Sequence, residues 1–224
     1  MKSKFLLLSV MVLAFSLTSF GQFKKGDKVL GLGLNFQSSV NESNSGFIPQ
    51  TNKTTNYGIS AELGFANKEN RFNGFFVNGS FGVSRQEFTT QPTTNSRSDY
   101  FNVGTGYFTR RYKSLGKNFF LFGEGRATLN YGNQDSPSFN TAKLKSYGVY
   151  AGFSPGLSYK VSKRFLLELK FADFVNMGYT YQELTAANGV KDYQRSFSFN
   201  SSLGLGYLRD IGIGARWIIP SKKK

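Results

Sequence analysis

From Phe197 onward the chain alternates with a period of two. The odd positions read Phe197, Phe199, Ser201, Leu203, Leu205, Tyr207, Arg209, Ile211, Ile213, Ala215 and Trp217, while the residues between them are mostly small or polar. Only an extended strand sends alternate side chains to opposite faces. An apolar stripe of this length exceeds an ordinary soluble strand and reads as a membrane-crossing strand of a β-barrel.

The same rhythm recurs upstream, at residues 27–37, 56–66, 71–85, 101–107, 119–131, 147–159 and from 165 onward. Each segment sets bulky apolar residues against Gly, Ser and Asn; Tyr57, Ile59, Leu63 and Phe65, for example, oppose Gly58, Ser60, Glu62 and Gly64. Polar stretches at 38–55, 86–98, 132–142 and 182–195 read as long loops, and the tight turns at 67–70, 113–118 and 162–164 alternate with them. Long and short connections in strict alternation predict an all-β, eight-stranded antiparallel transmembrane up-and-down β-barrel, with both termini on the short-turn side. Pro155 cannot donate to a ladder, so a bulge or break is expected near it.

Alternation alone does not say which face is inside. A barrel of eight strands has an interior just wide enough for side chains to fill. Four or five large apolar residues per strand would not fit there, whereas the Gly, Ser and Asn face would. The apolar face is therefore expected to meet lipid.

Lys2 and Lys4, the apolar run from Phe5 to Leu17, and the small residues before Gln22 have the three parts of a secretory signal. The run is about 13 residues, short of the ~20 that a spanning helix needs. Residues 1–21 are thus expected to be removed, leaving one outer-membrane barrel domain at 22–224. The chain has no cysteine, which excludes a lipid anchor on a mature N-terminal Cys, a disulfide framework and thiolate metal sites. It also has no histidine, which removes Ser-His-Asp hydrolysis and ordinary zinc sites. No enzymatic activity and no cofactor are expected. Lys and Arg total 28 against 13 acidic residues. For an exported chain that excess fits outer-membrane lipid and lipopolysaccharide phosphates better than nucleic acid.

Two sets of residues stand out. Glu62, Glu124, Arg126, Glu168 and Lys170 all fall on the small-residue face, forming a polar cluster in the lumen. Charges there are tolerated only when partnered, so they are expected to fill and stabilise the interior rather than to form a proton or ion path. On the apolar face, Phe119 and Tyr131 are separated by the same interval as Tyr147 and Tyr159. That interval spans roughly 30 Å along the membrane normal, the distance between two aromatic girdles. Trp217 is expected to belong to the same belts. Arg216 should point inward beside Gly212 and Gly214, and Arg209 falls on the apolar side next to Asp210. Gly31-Leu32-Gly33 and Gly204-Leu205-Gly206 lie within strands and open no helix, so they carry no phosphate-binding reading.

With Phe20-Gly21-Gln22 closing the leader, Gly-rich alternating strands, and the run Gly204 to Tyr207, the chain resembles the small porin-like outer-membrane β-barrel proteins of Bacteroidetes. It also looks broadly like eight-stranded barrels of the attachment and stress-response type. Such barrels often end on an aromatic residue read by the barrel-assembly machinery. Here Trp217 is followed by Ile218, Ile219, Pro220 and a Lys tail, which makes Trp217 the candidate signal. The resemblance implies a cell outer membrane location, a monomeric barrel and no defined catalysis. The expected role is structural, or surface interaction through loop residues around Phe47, Phe88 and Tyr193. The alternatives are a channel for small or apolar solutes and, less favoured, a lipid-modifying enzyme.

Overall fold

A computed structural model describes residues 23–43, 50–88, 96–116, 118–135, 141–201 and 211–221. The leader and its cleavage point, Phe47, the run Gly204 to Tyr207, and the Arg209 and Asp210 pair lie outside the described residues. The described residues hold ten strands. They are β1 (Lys28–Ser43), β2 (Gln50–Lys68), β3 (Arg71–Phe88), β4 (Ser96–Ser114), β5 (Phe119–Asp135), β6 (Thr141–Ser162), β7 (Phe165–Lys170), β8 (Val175–Ala186), β9 (Lys191–Ser201) and β10 (Ile211–Ile219). No helix among them is long and apolar enough to cross a membrane.

Every pairing is antiparallel, and consecutive strands from β1 to β6 are neighbours. The sequence continues β6–β7, β7–β10 and β10–β1, so the ladder returns to the strand on which it began. The farther half of β6 pairs with β8, which carries β9 at its other edge.

The expected seventh strand is two pieces, and Pro155 explains the division. β6 runs unbroken through Pro155, which faces Gly123 of β5 in register. On its other side the ladder stops at Gly156↔Lys170 and resumes at Phe153↔Val175, so the irregularity falls on the neighbouring chain instead. Phe171 N–H donates to the Pro155 carbonyl at 3.0 Å. Pro155 offers no N–H in return on that side, and residues 171–174 swing out of the ladder. The last strand is likewise described as two segments, β9 and β10.

The described residues of the four polar stretches read as long loops are mostly strand. Ladders reach Ser43↔Gln50, Gln86↔Ser96, Asp135↔Lys143 and Thr185↔Lys191. Alternation vanishes there because polar residues stand on both faces, yet the backbone groups still need partners and find them across the hairpin. The first part of β9, Lys191 to Arg195, shows this condition, with every residue exposed. Its hairpin turns at Gly189, whose φ of 83° suits a residue lacking Cβ.

The two faces divide as the volume estimate requires. Leu32, Phe75, Phe81, Phe197 and Ile213 are exposed, Phe197 at 72 %. Val29, Phe72, Phe76, Phe108, Tyr112, Phe120, Phe122, Leu166 and Ile218 are buried on the inner face. The interior is therefore more than Gly, Ser and Asn: at the short-turn end it is an aromatic core. Glycines on facing strands make the room. A Cβ at Gly156 would lie 2.1 Å from the Phe122 ring and 2.6 Å from the Leu169 carbonyl.

Candidate functional site: the interior charge network and the cavity above it

The polar cluster is assembled by register. Glu62 sits on β2, Glu124 and Arg126 on β5, and Glu168 and Lys170 on β7, each on the inward parity of its strand. The structure brings all five together, with Arg110 of β4, Tyr112 of β4 and Arg216 of β10 among them. Glu124, fully buried, accepts from Arg110 Nε at 2.6 Å and from Lys170 Nζ at 2.8 Å, and also from Arg126. Glu168 accepts from Arg110 Nη1 and from Tyr112 Oη, each at 2.5 Å, and from Arg216 Nε. Glu62 accepts from Arg126 and Arg216 and lies 3.6 Å from Arg110 Nη2.

Each carboxylate is thus shared by two or more cations, and each guanidinium by two or more carboxylates. This is the condition under which buried charge is tolerated. Aromatic rings add to the cradle: the Arg110 guanidinium lies 4.4 Å from the Phe122 centroid, and that of Arg126 lies 4.5 Å from the Phe76 centroid.

Parity would have found Arg110 and Tyr112, because both continue the inward series Asn102, Gly104, Gly106. The apolar alternation that marks strand four ends at Tyr107, and the charged positions beyond it carry no strand signal of their own. Arg216 points inward, beside Gly212 and Gly214.

Below the network Phe23 packs into the aromatic core at the short-turn end. Phe23 is buried, with its ring 5.2 Å from Phe72, 4.9 Å from Tyr112 and 5.8 Å from Phe120. Asn70, at a φ of 55°, donates its N–H to the Phe23 carbonyl and accepts the Phe23 N–H on its side chain at 3.4 Å. Asp27 accepts from Lys24 N–H at 2.9 Å and from Ser221 N–H at 3.1 Å, tying the two ends of the described chain together. No periodicity announces this plug, which is made of contacts distant in sequence.

On the other side of the network lies a cavity of about 680 Å³. Asn35, Asn56, Asn78, Asn130, Ser60, Ser80, Tyr150 and Asp173 contribute to its walls, and Glu62, Arg110, Arg126, Glu168, Lys170 and Arg216 line its floor. Among the described residues no group of three or more acidic side chains is arranged to hold a metal ion. The three clustered carboxylates are already occupied by cations.

On the outer face, Phe119 lies 4.8 Å from Tyr159, and Tyr131 lies 5.3 Å from Tyr147. Trp217 is exposed and lies 4.7 Å from Phe165. The residues expected to form girdles thus stand as cross-strand pairs, one row near each end of the strands. Tyr193, named for its loop position, is on β9 and stacks on Tyr181 at 6.0 Å. Phe88 closes β3.

No family model matches the chain, and no curated protein matches it in sequence. Solved structures do. The chain is similar to Neisserial surface protein A at 17 % identity, covering 86 % of this chain and 97 % of that one with a TM-score of 0.37. It is similar to the attachment invasion locus protein of Yersinia pestis at 16 % identity, covering 87 % and 99 % with a TM-score of 0.33. A major outer membrane protein from Thermus thermophilus is similar at 12 % identity, covering 86 % and 99 % with a TM-score of 0.40.

Proposed function

We propose that the chain is an integral outer-membrane β-barrel protein of eight strands, closed to solute flow, which acts structurally or through its outer hairpins. In this reading β7 and β8 belong to one barrel strand, interrupted at residues 171–174, and β9 and β10 belong to another. Register supports it. From Asn35 the rungs lead through Gly58, Ser80, Asn102 and Gly132 to Ser146, and the other way through Gly212 and Lys170 to Gly156. The two routes reach β6 ten residues apart (156 − 146). A stagger of ten over eight strands corresponds to a tilt of about 41° and a radius of about 8 Å, within the range of small membrane barrels.

The observation that carries the reading is the inversion of faces: large apolar side chains are exposed outside, while an ion-paired network is buried within. Water would disfavour the first and lipid permits it. The network and the Phe23 plug lie in series across the interior, which disfavours a channel. The carboxylates are held by cations, which disfavours a catalytic role. The surrounding lipid, with lipopolysaccharide, is the proposed partner, the barrel-assembly machinery reading Trp217 is the proposed route of insertion, and the protein is proposed to act as a monomer.

Reconstitution into planar bilayers tests this. The refolded protein should show a heat-dependent shift in gel mobility and no steady ohmic conductance. A soluble, detergent-free protein without that shift would refute the barrel, and a stable conductance would refute the closed interior.

A further inference from the structure

The outward face carries a row of cations that strand pairing alone does not account for. Lys53 of β2 stands directly opposite Arg85 of β3, which stands directly opposite Arg97 of β4. All three are exposed and share the outward parity of Tyr57, Phe81 and Phe101. Like charges in direct cross-strand register oppose pairing, so a sheet with nothing to gain from them would not place three side by side. The flanking cations have partial partners: Lys53 pairs with Glu87 at 2.7 Å and Arg97 with Asp99 at 3.0 Å. Arg85, in the middle, has no ion pair among the described residues.

The row's height says what it faces. Four residues down each strand lies the aromatic row Tyr57↔Phe81↔Phe101, in which Tyr57 stacks on Phe81 at 5.4 Å and also lies 5.2 Å from Phe36. At the strand tilt given above, four residues amount to about 10 Å along the membrane normal. An aromatic row marks the edge of the hydrocarbon, and the phosphates of lipid headgroups lie just beyond it. Guanidinium groups bind phosphate oxygens in a bidentate fork, and a Lys adds a point charge beside them.

We propose that Lys53, Arg85 and Arg97 form a binding site for the phosphate of an outer-leaflet lipid headgroup, with Arg85 at its centre. This rests on the outer-membrane barrel reading. The anion turns a repulsive row into a bridged one, and the Phe36, Tyr57, Phe81 and Phe101 rings beneath receive the acyl chains.

The test is lipid retention by the refolded protein in phosphatidylcholine vesicles doped with phosphorylated lipid A, or with the same lipid stripped of its phosphates. Native mass spectrometry of the extracted protein reads the retained lipid. The unmodified protein should retain the phosphorylated lipid at least tenfold more strongly. The variant K53Q/R85Q/R97Q should lose roughly tenfold to a hundredfold of that affinity, since each cation contributes separately to headgroup attraction. A K143Q/K145Q control removes charge from the outward face of β6 and should lose less than threefold. Equal retention of the stripped lipid overturns the site without recourse to any variant. So does a loss in the triple variant below tenfold, or a control that loses as much. Gel mobility is scored in parallel: failure of the heat shift counts against the barrel, while an intact shift with failed retention counts against this site alone.

Discussion

Glu124 is the residue on which the interior turns, because Arg110, Arg126 and Lys170 all reach it. Replacing it with Gln keeps the shape and removes the charge that three cations share. Breaking a buried pair on one side leaves uncompensated charge and typically costs about 3–5 kcal/mol. E124Q should therefore unfold at markedly lower urea in lipid vesicles, followed by the fluorescence of Trp217, the single tryptophan. K53Q, at an exposed pair, should shift the same curve by less than about 1 kcal/mol. If the two variants unfolded alike, the network would be contributing no more than a surface pair. The contrast separates the two kinds of charge that a composition count merges into one figure.

At the scale of the strand, the inner face works because small residues sit opposite rings. Gly156 on β6 faces Phe122 on β5 in register, with the Leu169 carbonyl of β7 on its other side. A methyl group at Gly156 has no free space, since the ring is fixed in the aromatic core and the carbonyl belongs to a ladder. G156A should therefore lose about 1–3 kcal/mol through overpacking, read from the same urea transition, although alanine is the smaller perturbation by volume. G189A, where a Cβ would meet open space but the φ is positive, should perturb only the hairpin tip. Much of this scale is legible in the sequence, for a physical reason. The inward or outward parity of Glu62, Glu124, Arg126, Glu168 and Lys170 follows from the period of the pleat, and bulky apolar residues on one face against small and polar ones on the other make that period visible. The signal fades where the residues stop differing between the faces. Residues 38–43 and 50–55 are paired strand yet look like loop, because Ser, Asn and Thr stand on both faces of the hairpin. Pro155 shows a second limit: its missing donor is evident in the sequence, but the break it causes belongs to the neighbouring chain at 171–174. Phe23 shows a third, since its partners Phe72, Tyr112 and Phe120 are brought to it only by closure of the sheet.

For the whole molecule, the proposed closed interior sets two barriers in series, the Phe23 plug at the short-turn end and the ion-paired network above it. Their roles can be separated. F23A removes a buried ring that contacts three others and should cost about 3–5 kcal/mol in the urea transition. It should not open the interior, because Arg110, Glu124, Glu168 and Arg216 still span the cross-section above the vacated space. An interior of about 8 Å radius measured to the backbone leaves little room once such side chains are seated. The expected result in planar bilayers is thus a destabilised barrel that remains silent. Combining F23A with E124Q weakens both barriers, and if either variant conducts, the double variant should be the one. A conducting F23A single variant would show that the plug alone holds the interior shut and that the charges above it enclose a water-filled path, which would return the cavity to consideration as the upper half of a channel.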